Sequence, residues 1–136
     1  NRKGARDQAG AIAAALERDK PVALFPDGTT GAGTHLLPFP PTLLEAANVA
    51  ARDVQIRPVA LDYGAAASEV GWYQEPGKTN ILRVLGRRGS IAVVVEVLPA
   101  LDRRGDRKQL AADARQAISD RLGFKSDAQP PIATSE

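Results

Sequence analysis

The chain has 136 residues and no cysteine, which excludes disulfides, thiolate catalysis and cysteine-based metal sites. Its 43% hydrophobic and 25% charged residues are the balance of one ordinary globular domain, and its net charge is only +2. Aromatic residues make up 4% and accompany no recognised nucleic-acid motif, so nucleic acid is not an expected partner. No apolar stretch approaches the ~20 residues of a membrane-spanning helix, and the first residues do not resemble a signal peptide.

The first part of the chain predicts a helix, a strand and a second helix. Residues 5–18 place alanine and aliphatic side chains on one face at helical spacing, and Pro21 ends the run. Residues 22–25 are an apolar run that predicts a short buried strand. Pro40 and Pro41 suit the first turn of a helix that we predict over residues 42–51.

The middle of the chain predicts two further strands. Residues 54–61 predict a strand, residues 65–78 a loop, and residues 80–85 a short helix that ends at Gly86. Residues 91–98 predict the best strand of the chain. Its three consecutive valines, residues 93–95, are typical of a strand that is covered on both faces.

The last helix has the clearest sequence signals. Asp106 is suited to cap its first turn, with Gln109 as the reciprocal partner three residues later. Gly123 is a good terminator. Between them the apolar residues repeat every four positions: Leu110, Ala114, Ile118 and Leu122.

Helices that alternate with three short apolar strands predict the α/β class. We expect a partial layered sheet, parallel or mixed, flanked by helices, because the strands are too few for a complete sheet of this kind. Residues 1–124 are predicted to be the C-terminal part of a single domain. Residues 125–136 are polar and contain Pro130 and Pro131, so they predict a disordered tail or a linker.

The most informative stretch of the sequence follows the first predicted strand. It crowds a carboxylate, two hydroxyls and a flexible backbone onto the end of that strand. In open α/β sheets, ligands bind outside the carboxyl ends of strands, and backbone N–H groups of a Gly-rich turn bind phosphate. The alternative is an ordinary turn, since Pro-Asp-Gly is also a common turn signature. The residues of this block are Phe25, Pro26, Asp27, Gly28, Thr29 and Thr30.

Two further blocks place this motif in a family. Gly33-Thr34-His35-Leu36-Leu37-Pro38-Phe39 continues it, and Ile56-Arg57-Pro58-Val59-Ala60-Leu61 follows later. Together the blocks resemble the glycerolipid acyltransferases of the 1-acylglycerol-3-phosphate (lysophosphatidate) acyltransferase type. That family carries Phe-Pro-Glu-Gly-Thr, then Gly-Thr-x-x-Leu-Pro-Phe, then a block around Pro-Val-Ala. The resemblance runs from about residue 9 to residue 123, and it implies a glycerol-3-phosphate-acyltransferase-like fold.

The sequence departs from the family pattern in two ways. Asp27 stands where the family has Glu, one methylene longer. The catalytic His with Asp five residues later is missing, because the single histidine, His35, is followed at that distance by Pro40. In that family the His-Asp block precedes the Phe-Pro-Glu-Gly block. We therefore expect the chain, which contains no methionine, to be the C-terminal part of a longer acyltransferase, and to be inactive without the missing base.

The resemblance implies that the block at residues 25–30 holds the glycerol phosphate of an acceptor. Gly28 allows the backbone to approach a phosphate, while Thr29 and Thr30 can donate hydroxyl hydrogen bonds. Asp27 would be repelled by phosphate. It is expected to bind a glycerol hydroxyl or an arginine, or only to brace the loop.

Arg57 has two interpretations that the sequence leaves open. Next to Pro58 in the second block, it either pairs with the phosphate bidentately or is an exposed residue of an edge strand. The family also has an arginine upstream of the first block, and Arg2 is a candidate for it.

The resemblance implies transfer of a fatty acyl group from acyl-CoA or acyl carrier protein to a lysophospholipid such as 1-acylglycerol-3-phosphate, in phospholipid biosynthesis. No cofactor or metal is expected, and the reaction would occur at the cytoplasmic face of a membrane. The alternative is a non-catalytic module that binds phosphate or a lipid headgroup.

Two other features have open interpretations. The basic clusters at residues 83–88 and 103–108 either contact anionic lipid or form a solvated face, and we favour the solvated face. Trp72 and Tyr73 could lie at a membrane interface or in an acyl pocket, or they could close a loop over a small core. We favour the loop closure.

Overall fold

The computed structural model describes residues 2–18, 20–26, 31–49, 53–73, 75–102 and 106–124. In chain order these form helices α1 and α2, strand β1, a 3-10 turn, helices α3 and α4, strand β2 and helix α5. Their bounds are α1 Arg2–Leu16, α2 Pro41–Val49, β1 Val59–Asp62, the 3-10 turn Gly64–Ala66, α3 Ala67–Val70, α4 Gly77–Leu85, β2 Val94–Val97 and α5 Arg107–Leu122. The helices predicted over residues 5–18, 42–51 and 80–85, and the last helix, are confirmed in type and approximate position.

The hydrophobic core lies between α2 and α5. Leu110 is its most buried side chain, with 1% of its surface exposed. The four-residue apolar repeat of α5 puts Leu110 and Ala114 on the face that meets Leu44 of α2 and Phe39 of the preceding segment. Arg107 of α5 also pairs with Glu45 of α2 at the surface. The core cluster is Phe39, Leu44, Leu110, Ala111 and Ala114, with Leu36, Ile56, Leu101 and Ile118 packed against it.

Both ends of α5 match the sequence signals. The Asp106 carboxylate accepts hydrogen bonds of 2.8 Å from the backbone N–H groups of Lys108 and Gln109. These bonds hold the pKa of Asp106 below its ordinary value, and the bond from Gln109 has the larger effect. The predicted reciprocal contact of the Gln109 side chain with Asp106 is wrong, because the Gln109 side-chain amide donates to Asp113 instead, at 2.7 Å. Gly123 ends the helix in the left-handed conformation, with φ of 68°.

The two strands form an antiparallel pair. Val59 lies opposite Val97, and Leu61 opposite Val95. Backbone hydrogen bonds continue beyond the strands, from Leu98 N–H to the Pro58 carbonyl and from Leu101 N–H to the Ile56 carbonyl, both 2.9 Å long. This antiparallel pair is compatible with the predicted mixed sheet and incompatible with a wholly parallel sheet. The larger α/β sheet remains a prediction.

Two strand predictions are corrected. Residues 22–25 are irregular, since the described part of the chain forms only a two-stranded sheet and offers this segment no neighbouring strand. The valines of β2 are not covered on both faces: Val94 is 55% exposed and Val95 61%. One face of the pair, with Ala60 and Glu96, turns toward α5, and the opposite face has no layer over Val95 among the described residues.

The segment predicted as a loop over residues 65–78 is partly helical. It contains most of the 3-10 turn, all of α3 and the first residues of α4, which starts three residues earlier than predicted. Such short helices carry little periodic signal in a sequence. The predicted tail over residues 125–136 lies outside the described residues. In the part of the chain that is described, every helix is too short or too polar to cross a membrane.

Candidate functional site

A cavity of about 910 Å³ lies beside the core. One wall is the irregular segment 20–26 and the other is residues 53–59 with Leu61. Side chains of α1, α2 and α5 close it. Its lining is mostly aliphatic, and its size is within the ~300–1,000 Å³ of small-molecule sites. An apolar ligand fits such a cavity better than a polar one.

Four of the eight residues singled out from the sequence line this cavity. They are Phe25 and Pro26 of the first block and Arg57 and Pro58 of the second. The structure therefore brings together two blocks that are about thirty residues apart in the sequence. Phe25 is 73% exposed, whereas Pro58 is buried. The other four, Asp27, Gly28, Thr29 and Thr30, lie outside the described residues.

Arg57 is exposed on the cavity wall. Its Nη2 lies 3.4 Å from the Oε1 atom of Gln55, which lines the same wall two residues earlier. That contact is long and has a neutral acceptor, so it holds the guanidinium weakly. An arginine in this state keeps donors for an anionic group that approaches the cavity.

The Gly/Thr-rich loop that follows the predicted phosphate-binding block rests on a distant segment. The N–H of Trp72 donates to the carbonyl of Gly31 at 2.8 Å. Beside this bond the backbone of Gly71 packs against Ala32. A Cβ atom on Gly71 would lie 2.6 Å from the Ala32 oxygen, closer than real Cβ contacts allow. Gly33, with φ of 76°, then turns the loop in a conformation that favours glycine.

A polar network holds Gly71 against this loop. Arg83 of α4 donates from Nη2 to the Gly71 carbonyl at 2.6 Å and to Glu75 Oε1 at 2.8 Å. Its Nη1 donates to the carbonyl of Glu69. Asn80, only 9% exposed, donates to the same Glu75 oxygen at 2.9 Å. These contacts order the turn between α3 and α4, and through Gly71 they support residues 31–32.

Glu75 is the electrostatic centre of the network. Hydrogen bonds from Arg83, the larger effect, and from Asn80 lower the pKa of its carboxyl from 4.5 to about 2. The carboxylate also accepts the N–H of Tyr73 at 2.7 Å. It is therefore ionised at neutral pH, which preserves its pairing with Arg83.

The basic and aromatic residues near this network have structural contacts. Arg83 and Arg87 are partly buried and pair with Glu75 and Glu69, so these two arginines form neither a free lipid-binding patch nor a solvated face. The hydroxyl of Tyr73 donates to the Ser68 carbonyl at 2.8 Å, and Trp72 packs over Gly77. These contacts support the loop-closing interpretation of the aromatic pair. Among the described residues that line the cavity, neither aromatic is present.

Sequence reasoning missed Arg115. From α5 its Nη2 donates to the Leu36 carbonyl at 2.8 Å, and its Nε donates to the carbonyls of Leu36 and Leu37 at 3.1 and 3.2 Å. These bonds anchor the Leu-Leu-Pro-Phe stretch that resembles the family block. The sequence offered one signal for this role. Arg115 lies four residues after Ala111, so its long charged side chain lies beside the apolar face of α5.

His35 is an exposed residue of the same loop. Its Nδ1 lies 3.2 Å from the Thr34 hydroxyl, and this contact to the adjacent residue agrees with the local structural role expected of it. The described residues hold no cluster of three or more His, Cys, Asp or Glu that could bind a metal ion. The arrangement thus offers an apolar cavity, an exposed cation in its lining and a loop held in place by hydrogen bonds, all of which suit ligand binding.

Comparison with known proteins agrees with this chemistry. The chain is 35% identical over 113 residues to the lyso-ornithine lipid O-acyltransferase of Rhodobacter capsulatus, and the match covers 75% of the chain. The chain belongs to the glycerolipid acyltransferase family. It spans 40% of the length of that acyltransferase. No family model and no solved structure matches the chain.

Proposed function

We propose that the protein containing this chain transfers a fatty acyl group from an acyl thioester to the hydroxyl group of a lysolipid, with 1-acylglycerol-3-phosphate as the expected acceptor. The main support is that residues of both family blocks, Phe25-Pro26 and Arg57-Pro58, line one apolar cavity. The proposal gives these four residues, and Asp27 to Thr30 beside them, a role in substrate binding. Acyl-CoA or acyl carrier protein is the donor, and no cofactor is required.

The chemistry divides the work between this chain and another part of the protein. The acceptor hydroxyl attacks the thioester carbonyl, a base takes its proton, and the carbon–sulfur bond breaks to release the thiol. The base must lie within hydrogen-bond reach of the hydroxyl. The only histidine of this chain, His35, is exposed beside Thr34 and has no Asp five residues later. We therefore assign binding and positioning to this chain, and proton transfer to residues outside it.

The cavity is assigned to an aliphatic chain. Most of the lining residues are aliphatic, from side chains of α1 to Ile118 and Leu122 of α5. An acyl chain would therefore replace water along most of the cavity. Arg57, whose contact among the described residues is the long one to Gln55, is assigned to the phosphate of the acceptor, where it would form a charge-assisted pair. The reaction is placed at the cytoplasmic face of a membrane, where a lysolipid and a soluble thioester meet.

A second acceptor follows from the relative. The acyltransferase of Rhodobacter capsulatus acts on lyso-ornithine lipid, and 35% identity makes the same acceptor a candidate here. Lysophosphatidate offers a phosphate and lyso-ornithine lipid a carboxylate, and an arginine pairs with either group. The rates of transfer to the two lysolipids therefore distinguish the acceptors.

The experiment compares the 136-residue chain with the full-length protein that contains it. Each is incubated with acyl-CoA or acyl carrier protein thioester and with either lysolipid. We expect transfer by the full-length protein and none by the chain alone. Transfer by the chain alone would refute the assignment of the base. If the full-length protein binds lysolipid without any transfer, the alternative is correct and the protein is a non-catalytic headgroup-binding module.

The role of Arg57 is tested by Arg57→Ala in the full-length protein. We expect the acceptor KM to rise roughly tenfold or more, since a hydrogen bond to a charged group is worth about 1.5–3 kcal/mol. The donor KM should change little. Lys108→Ala is the control, because Lys108 is an exposed cation of α5 and does not line the cavity. An unchanged acceptor KM in Arg57→Ala would remove Arg57 from the site.

A further inference from the structure

Residues 36–39 form part of the cavity although they belong to no strand or helix. Leu36 and Phe39 line the cavity, and both also pack in or against the core cluster. Pro38 and Pro40 have no N–H group, so this segment cannot be held by the regular hydrogen bonds of a sheet. Its position therefore depends on other contacts.

Arg115 of α5 supplies such contacts. Its Nη2 donates to the Leu36 carbonyl at 2.8 Å, and its Nε lies 3.1 Å from the same oxygen and 3.2 Å from the carbonyl oxygen of Leu37. A guanidinium presents its donors in a rigid fork, so it fixes the direction of its acceptors better than a single donor does. Hydrogen bonds from a charged donor are also stronger than neutral ones. Two successive carbonyls are thus held against one point of α5.

The neighbours of Arg115 on α5 line the cavity. Ala114 precedes it by one residue and Ile118 follows it by three, and both belong to the lining. Arg115 is half-buried and lies outside the lining. It is therefore placed to act on the cavity through the segment that it holds.

The stretch that leads to Leu36 is also fixed at its other end. The Gly31 carbonyl accepts the N–H of Trp72 at 2.8 Å. Only residues 32–35 separate this bond from the carbonyl that Arg115 binds. Loss of the Arg115 bonds would thus release the cavity end of the stretch and leave its Gly31 end in place.

We propose that Arg115 is a positioning residue of the substrate site. It fixes the Leu36 carbonyl so that the Leu36 side chain completes the apolar lining against which an aliphatic chain binds. This role rests on the proposed function, which places an aliphatic chain in the cavity. Arg115 would then set how tightly the cavity holds the chain without touching it. An arginine that only stabilised the fold would leave the affinity of the folded protein for such a chain unchanged.

The test measures binding of cis-parinaric acid, a fluorescent long-chain fatty acid, to the full-length protein without thioester or lysolipid. Displacement of Leu36 would uncover on the order of one or two methylene groups of a bound chain, and each buried methylene is worth about fourfold in affinity. We therefore expect Arg115→Ala to raise the Kd about four- to fifteen-fold. Arg115→Lys keeps an ammonium donor for the Leu36 carbonyl and should recover most of the affinity.

A double-mutant cycle separates positioning from general stabilisation. Leu36→Ala removes the lining side chain directly and should also raise the Kd. In the Leu36→Ala background, Arg115→Ala should add less than about twofold, because the side chain through which it acts is already gone. Independent effects of the two substitutions, which multiply in the Kd, would overturn the proposal.

Asp106→Ala is the matched control for stability. It removes the cap of the same helix, and Asp106 lies outside the cavity lining. We expect its thermal midpoint to fall while its Kd for the probe stays unchanged. Circular dichroism and thermal midpoints show which variants are folded. If Arg115→Ala does not fold, Arg115→Gln, which has a shorter reach and suits a helix, replaces it in each comparison.

The proposal is wrong if the unchanged protein does not bind the probe, or if Arg115→Ala binds it equally tightly. It is also wrong if Arg115→Lys binds as weakly as Arg115→Ala, or if Asp106→Ala loses as much affinity. Acyl transfer is measured separately on the same proteins. Weaker probe binding by Arg115→Ala, with no lysolipid acylated by the unchanged protein, would support the role of Arg115 and refute the proposed acyl transfer. Normal acylation with equal Kd values would do the reverse.

Discussion

Gly71→Ala should destabilise the protein by a steric effect at one junction. The φ and ψ of Gly71 are −57° and 154°, values that alanine adopts freely, so the backbone conformation itself does not require glycine. The obstacle is Ala32. A Cβ on residue 71 would lie 2.6 Å from the Ala32 oxygen, 2.9 Å from its carbonyl carbon and 3.2 Å from its Cα. All three are backbone atoms, so no side-chain rotation relieves the contact.

The magnitude follows from what must move. Separation to an ordinary contact displaces residues 31–32 from residues 71–72 and breaks the hydrogen bond from Trp72 N–H to the Gly31 carbonyl. Overpacking costs about 1–3 kcal/mol and a lost hydrogen bond about 0.5–1.5 kcal/mol. The lower entropy of the unfolded alanine chain returns about 0.4–1 kcal/mol. We expect a net loss of about 1–3 kcal/mol in the free energy of unfolding.

The assay is urea denaturation followed by circular dichroism and by the fluorescence of Trp72, the single tryptophan of the chain. Trp72 adjoins the junction, so its native emission should also change in Gly71→Ala. Gly10→Ala in α1 is the control, because nothing lies within 4 Å of a Cβ there. It should be neutral or up to about 1 kcal/mol more stable, since alanine is the better helix former. A Gly71→Ala protein with unchanged stability and unchanged native emission would refute the close approach.

Three further predictions concern the network, the last helix and the core. The pKa of Glu75 is lowered from 4.5 to about 2, so its ionisation stabilises the native state above pH 4.5, and this contribution is lost as the pH falls toward 2. Glu75→Gln should therefore reduce the loss of unfolding free energy over this acidic range. If the free energy falls equally steeply in the unchanged protein and in Glu75→Gln, the native state does not contain the pairing of Glu75 with Arg83. Asp106→Ala should lower the thermal midpoint because two N–H groups of α5 lose their acceptor, whereas Asp106→Asn, which keeps an acceptor oxygen, should retain most of it; equal losses would argue against the cap. Leu110→Ala should cost about 2–5 kcal/mol in urea denaturation because the side chain is 1% exposed, while Leu82→Ala, at 72% exposed, should cost within about 0.5 kcal/mol; similar losses at the two positions would contradict the assigned core.

Features set by neighbours in the sequence could be predicted. The cap at Asp106, the four-residue repeat of α5 and the stop at Gly123 each depend on contacts within a few residues, and all three are present. The family blocks were also visible in the sequence, and residues of both blocks line the cavity. Their role in substrate binding stays a prediction.

Features set by distant contacts could not be predicted. Arg115 bonds to a carbonyl 79 residues away, and Gly71 meets Ala32, which lies 39 residues earlier in the sequence. Neither position has a periodic or motif signal that names its partner. The valines of β2 show the same limit: their β-propensity marked the strand, but the exposure of Val95 depends on which layers pack beside it.

The sequence by itself determined the helices, the end of α5, the family and the residue types available for lipid chemistry, because these depend on local backbone preference and on motif spacing. Only the tertiary structure decided that Arg83 faces inward while Leu82 and Leu85 face outward. A helix turns toward whichever side gives the lower free energy, and here ionic hydrogen bonds to the turn at Gly71 hold the polar side against the domain.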